Sequence, residues 1–464
     1  MSFEYIIYIL LFVVWGIIVY KNLRASVLLL PLFFPLYLVK FNILAIPVYF
    51  VEGLILISAV PIFYNLLTGR CEALKKGFGY KIMYLLKLKF LPKKKGFKEF
   101  LKSVFLPIVL FLIACSISAL IVKGDYAMHA LGILKSWVII PLIYFYTLYS
   151  VIKNNKDIKF TMYAYIVSAL ILGLWGLYQA ASGQYITIDD RISGPFASAN
   201  YLAMYITPAF IFAAVRFIQT FMHLKFASAN RRFVAFEKRI YLGLFAAFLF
   251  AVLVLTQSYG GILGAFVAIF IYVIYQRIKT RELLVKKFLN KIIGFVLLFV
   301  VLGGTLSVSL NIEKFQNLTK LDEHTSISTR VEIWQVGLNL LKENPIFGIG
   351  LGQYQTNYNE RATEILGHAP FEEERLHSHN LYLETWLNSG LLGIVSFIWI
   401  IVLAYLSFKK IKPGTKKDLA LVALIMLSYL LIHGLIDVTF WKNDLSLIFW
   451  LIMGVNFSLL KNGN

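Results

Sequence analysis

His377, His379 and Asn380 form the segment of this chain best suited to chemistry, because an imidazole titrates near neutral pH and can exchange protons with little tuning. Nine residues separate Asn380 from Gly390-Leu391-Leu392-Gly393, and the sequence then stays almost wholly apolar to Phe408. His379 is therefore expected to act as a general base, with Asn380 fixing its ring or holding a substrate hydroxyl. Glu384 and Asn388 follow at helical spacing and could approach the same rim. A plain helix N-terminus at a wet interface would use the same residue types for capping. His377 and His379 could also ligate a metal, but zinc sites use three or four ligands and the sequence places no third. No metal or other cofactor is expected.

Other polar residues collect in three further places. Thr329-Arg330-Val331-Glu332 fits a capping box, with Val331, Trp334, Leu338 and Leu341 spaced as one apolar helical face. Arg330 at the start of such a helix would add bidentate anion geometry to an end that already favours anions, although pairing with Glu332 would explain it equally well. Asn344-Pro345 ends that helix, Gly348-Ile349-Gly350-Leu351-Gly352 makes a turn, and a second helix is expected over Tyr354 to Leu366. Arg191 precedes Ser193-Gly194-Pro195-Phe196, a turn into an apolar run, with Ser198 or Asn200 as cap. Thr256-Gln257-Ser258-Tyr259-Gly260-Gly261 is a tight turn between two apolar runs, and Ser258 and Tyr259 could offer hydroxyls to a substrate.

The elements that must position these residues are membrane spans. Residues are 59% hydrophobic and 15% charged, with mean hydropathy +0.75, which excludes a soluble globule of 464 residues. Apolar runs that could cross a bilayer lie near 4–20, 25–39, 44–67, 104–123, 130–152, 160–181, 199–221, 240–257, 260–276, 292–310, 389–408, 418–437 and 444–460. The expected fold is an all-α polytopic membrane protein with about 12–13 transmembrane helices and one large helical extracytoplasmic loop. Its regions are 1–181, with a basic loop at 70–103; 182–310; the loop 311–388; and 389–464. The first apolar run lacks a basic leader and reads as a retained helix. Cys71 and Cys115 give no disulfide framework.

A net charge of +21 would suggest nucleic acid in a soluble protein. Here roughly two thirds of the 45 Lys and Arg fall in alternate loops, at 75–102, 153–159, 225–239, 277–291 and 409–417, as the positive-inside rule requires of cytoplasmic loops. Nucleic acid is therefore excluded as a partner. Lys93 to Ser103 could also lie on anionic headgroups. The same alternation puts 182–198, 257–260 and 311–388 outside, so every polar cluster named above shares one face.

Together the motifs resemble the O-antigen ligase and polysaccharide polymerase superfamily. Gly194, Pro195, Phe196 and Asn200 match its entry motif, Gln257, Ser258 and Gly260 its tight turn, and Arg330, Trp334, Pro345, Gly348 and Gly350 its loop helix. His379, Asn380, Gly390 and Gly393 match its histidine motif in full. The resemblance implies a multi-pass protein of the cytoplasmic (inner) membrane. It implies glycan transfer at the extracytoplasmic face from an undecaprenyl-diphosphate-linked donor, without metal, with His379 and Arg330 as functional residues. Arg191 is a second phosphate candidate, and His377, Asn200, Ser258, Tyr259, Trp334, Asn380 and Glu384 are expected to line the substrate. Tyr259 stands where the family's turn carries arginine. Implied partners are the lipid-linked donor, a lipid, glycan or protein acceptor, and membrane lipids. A polymerase would use the same site. A transporter is the rival class, because His433 and Asp437 lie one turn apart in an apolar run where a lone carboxylate costs about 2.5–3.5 kcal/mol.

Overall fold

The computed structural model describes residues 3–43, 46–68, 104–187, 189–222, 229–283, 285–294, 326–372 and 376–461. Among the described residues, eight helical stretches are long and apolar enough to cross a membrane, and Phe105–Ile121 and Arg239–Leu255 are shorter apolar helices. Thr415–His433 packs among them, with Lys416, Lys417 and Asp418 confined to its first turn. The chain is thus an all-α polytopic membrane protein, apart from one antiparallel hairpin, Lys40–Ile43 with Ile46–Tyr49, that the sequence reading missed. The expected span 292–310 and the basic loop 70–103 fall almost entirely outside the described residues.

The apolar stretch Ile6–Leu38 is two antiparallel passes. Asn22 has φ −152° and ψ 76°, which breaks the helix. Its side chain accepts from Ala25 N at 3.0 Å and so starts the second pass. Contacts fix the directions. Tyr8 and Phe12 pack on Phe41 and Phe50, Trp15 donates to Leu54 O and Ser58 Oγ, and Arg24 pairs with Asp157 at 2.5 Å at the opposite end. The chain then returns through Leu30–Leu38 until Tyr37 stacks on Phe196. The separate runs 4–20 and 25–39 expected from sequence correspond to these passes.

Burial sorts the helices by position. Only 11% of the Ile6–Leu38 window is buried, against 94% for Asn443–Leu460, so the first lies at the rim and the second at the centre. Trp450, Tyr144, Tyr165 and Tyr205 are among the largest fully buried side chains. Lys135 and Glu52, charges set within apolar runs of the sequence, pair at 2.8 Å. Lys135 also donates to Pro47 O.

All turns that carry candidate residues gather at one end. There the loop 344–352 inserts into a break in helix Leu381–Lys409. Gly390 has φ 65° and ψ −173°, Leu391 N donates to Ile346 O, and Ile349 N donates to Leu387 O. Gly352 N reaches Asn388 Oδ1. Helices Ser326–Glu343 and Tyr354–Leu366 close over this loop around a core of Ile333, Val336, Leu340, Tyr354 and Tyr358. The expected apolar face is therefore corrected. Val331 and Leu338 are exposed, Trp334 is partly buried against this core, Leu341 is buried in it as expected, and the packed stripe runs through 333, 336 and 340. The spacing of 331, 334 and 338 is helical, but a neighbouring stripe buries more because Gly337 lets Leu383 and Tyr354 approach it.

Candidate functional site

Four chain segments converge on Asp437, which lies in the turn between helices Thr415–His433 and Asn443–Lys461 and is 2% exposed. His379 Nδ1 stands 3.4 Å from its Oδ1. Asn200 Nδ2 donates to its Oδ2 at 3.1 Å, and Val438 N to its Oδ1 at 2.8 Å. One residue back, Ile436 O accepts from Arg330 Nε at 3.1 Å. The tight turn arrives from the fourth side: a Cβ on Gly260 would lie 2.6 Å from Ile436 and 2.9 Å from His433 Nε2. Glycine is needed there for close approach.

The histidine segment is held by its own sequence neighbours. Asn380 caps helix Leu381–Lys409, accepting from Tyr382 N and Leu383 N at 3.0 Å, while its Nδ2 donates to Leu435 O. Glu384 turns back under the segment, taking Ser378 N at 2.7 Å and Asn388 Nδ2 at 2.9 Å. These bonds enforce φ 47° at His379, a left-handed conformation uncommon outside glycine. Gln257 and Asp190, with φ of 51° and 52°, share it, and both lie in the converging loops. Such backbone strain gathers where surrounding contacts over-determine a site. Asn380 and Glu384, expected to line the substrate, thus bond to the backbone on either side of His379. The capping half of the sequence reading holds.

His377 completes the cluster. Its ring lies 4.4 Å from that of His379, and its Nε2 is 3.2 Å from Tyr201 OH. Over the Tyr201 ring sits Lys442 Nζ, 4.1 Å from the centroid and also facing Phe196 and Tyr37. Burial lowers the Lys442 pKa, and Asp444, 3.1 Å away, opposes that shift. Lys442 thus sits inside an aromatic cage.

Three expectations about the loop helix change. The helix begins by Ser326, so Thr329 lies within it and caps nothing. Glu332 does not reach back either: it accepts from Phe371 N at 2.9 Å and faces His368 at 3.8 Å. Arg330 therefore sits one turn inside the helix, beyond the strongest reach of the terminal amides. It approaches the cluster through Ile436.

The remaining candidates lie in the bounding turns. Gln179, which the sequence reading missed, accepts from Ser193 N and Gly194 N and donates to Gly194 O. It braces the Gly194-Pro195-Phe196 turn, and Ser198 Oγ accepts from Asn200 N, leaving the Asn200 side chain to Asp437. Arg191 pairs with Asp189 at 2.6 Å and reaches Thr256 O at 3.5 Å, tying this turn to the next. Ser258 Oγ is buried with no hydrogen-bond partner among the described residues. Tyr259 is 56% exposed. Trp334 belongs to the loop core.

Asp437 combines opposing influences. Burial pushes its carboxyl up, but His379, His377 and His433 together hold it well below the usual aspartate range. A folded value lowered in this way contributes stability above the unfolded aspartate pKa of about 4, lost as the pH falls toward the folded value. Thermal unfolding in detergent should show the unsubstituted protein losing more stability than Asp437→Asn between about pH 5 and about pH 3. Equal losses would exclude this linkage. The pairing proposed for transport is also resolved: His433 Nδ1 contacts Tyr429 OH at 2.9 Å, while Asp437 takes His379 and Asn200.

Residues 244–398 match the family model described as O-antigen ligase. That stretch contains the tight turn, Arg330 and the histidine segment, and the match supports the superfamily that the motifs resemble. An uncharacterized protein of Haemophilus influenzae is 29% identical over 141 residues, which cover 27% of this chain and 35% of that relative. The matched region spans about a third of the relative's length.

Proposed function

We propose that this O-antigen ligase-like chain transfers a glycan from an undecaprenyl-diphosphate-linked donor to an acceptor hydroxyl at the outer face of the cytoplasmic membrane. The observation that carries the reading is the His379–Asp437 pair, set one residue from the Ile436 carbonyl that Arg330 touches. A base and a phosphate-binding cation thereby share one backbone segment. Asp437 on Nδ1 leaves Nε2 of His379 to take the acceptor proton, and the carboxylate stabilises the imidazolium that forms. The acceptor oxygen bonds to the anomeric carbon as the bond from that carbon to the diphosphate oxygen breaks, with inversion. The electron pair leaves with the lipid diphosphate. Arg330, with Arg191 at the neighbouring turn, neutralises the departing group, which needs no protonation to leave. No step requires a metal.

A charge-assisted hydrogen bond to phosphate contributes about 1.5–3 kcal/mol. Arg330→Ala should therefore lower kcat/KM for the lipid-linked donor roughly 10- to 150-fold. Arg330→Lys should recover part of the loss, because it keeps the charge without the fork. The direct test mixes purified protein, lipid-diphosphate glycan and candidate acceptors in chelator and weighs the products. A single addition identifies a ligase and a ladder identifies a polymerase. Unconsumed donor with every acceptor would overturn the proposal.

A further inference from the structure

The sequence offers two histidines and no third metal ligand, and the fold supplies one. His377, His379 and Asp437 each present a ligand atom, all within 4.8 Å of one another. We propose that these three side chains bind one divalent ion of the zinc class, and that its binding withdraws His379 from proton transfer. The second clause rests on the function proposed above; the first does not.

Distances and outer partners both favour the site. In tetrahedral zinc with bonds of about 2.0–2.1 Å, neighbouring ligand atoms stand about 3.4 Å apart. His379 Nδ1 and Asp437 Oδ1 are separated by 3.4 Å. Apart from that approach to Asp437, which is longer than a good hydrogen bond, Nδ1 of His379 has no hydrogen-bond partner among the described residues. Metal-ligating groups commonly have their second polar atom held by another residue. Here Tyr201 OH holds Nε2 of His377, and Asn200 holds Oδ2 of Asp437, whose Oδ1 accepts from Val438 N and keeps a second lone pair on the side of His379. The chain therefore provides much of the outer shell as well as three ligands.

Ligand chemistry selects the ion. Two imidazoles and one carboxylate suit zinc, cobalt or nickel, whereas magnesium and calcium take oxygen ligands. Three protein ligands leave a fourth position for water. The transfer step needs no metal in that position, and the atom that zinc would occupy is the one Asp437 uses to orient His379. Occupancy is therefore inhibitory.

The test titrates the purified full-length chain in detergent with cobalt chloride and then zinc chloride. Expected are visible cobalt bands of a low-coordinate site saturating at one equivalent, abolished by zinc and unaffected by excess magnesium. His377→Gln and Asp437→Asn should each weaken zinc binding at least tenfold. If either variant fails to fold, the other variant and the cobalt spectrum of the unsubstituted chain decide, because the intensity of the visible bands reports a low coordination number and their saturation point the stoichiometry. Absence of the bands, or unchanged zinc affinity in both folded variants, would overturn the site. Zinc should also slow glycan transfer, with recovery on chelation. Zinc bound with the expected ligand dependence but without effect on transfer would overturn only the inhibition. Failure to transfer glycan under any condition would count against the proposed function and leave the binding result standing.

Discussion

His379→Asn should reduce the rate of glycan transfer by about 10²–10⁴, the usual contribution of a positioned general base, while leaving donor affinity nearly unchanged. Asparagine is the informative substitution because His379 has φ 47°. Alanine in that conformation is strained, and a loss of activity could then reflect a displaced loop. Asparagine visits the left-handed region more readily and has no group that titrates near neutral pH. The bonds that shape the segment, from Ser378 N to Glu384 and from Tyr382 N and Leu383 N to Asn380, do not involve the His379 ring. Arg330 keeps its place on Ile436 O, so the donor's diphosphate should still bind. The measurement is kcat and KM with lipid-diphosphate glycan, together with the melting temperature. A folded variant with the original kcat would remove the base from the mechanism. A higher KM at constant kcat would make His379 a binding residue instead.

The contrast between His379 and Asp437 explains what the sequence could reveal. The histidine is legible because its spacing to Gly390 and Gly393 is local, and Asn380 and Gly390 have mechanical tasks as cap and break of the helix that follows it. Its carboxylate partner lies far along the chain, after two helices, and no local periodicity links the two. One signal was present: His433 and Asp437 in an apolar run are costly without a purpose. That signal indicates importance without naming partners, so it served a transport reading equally well. Asn200, Arg191 and Ser258 were placed at one common end, where the structure gathers them, because charge alternation among loops orients every span at once. The loop helix was found with the wrong start and with a buried face right at Leu341, partly right at Trp334 and wrong at Val331 and Leu338. Thr329 and Glu332 satisfy a capping pattern, but residues from Ser326 onward are already helical, and Glu332 is drawn to the Phe371 amide. Local patterns list bonds that can form; tertiary partners decide which do.

Gly390→Ala should be the most damaging single methyl addition in the loop assembly, costing about 3 kcal/mol or more. Two independent effects combine at this position. Its φ of 65° with ψ −173° lies in a region open essentially to glycine alone, and a side chain there costs about 1–3 kcal/mol. In addition, a Cβ would stand 2.2 Å from Ile346 O and 2.8 Å from Phe347 Cα, both backbone atoms that cannot rotate away. Relief would require lifting the loop 344–352 from the break, which breaks the bond from Leu391 N to Ile346 O and then that from Ile349 N to Leu387 O. Because the helical turns that precede the break begin at Asn380, directly after His379, the displacement should reach the site. Gly367 is the control: its φ is 77°, but nothing lies within 4 Å of the place a methyl would take, so Gly367→Ala should cost only the conformational part, about 1–2 kcal/mol. Thermal unfolding of both variants in detergent separates steric from torsional cost. Equal losses would mean that the loop does not seat in the break. A Gly390→Ala protein with full stability and full transfer activity would also show that the histidine motif has no need of glycine at this position. The pairing of that motif with Gly348 follows the same logic, since a Cβ on Gly348 would lie 2.2 Å from Leu387 O. The two glycines let two backbones touch, and that contact holds the strand of chain bearing Arg330 against the helix that presents His379.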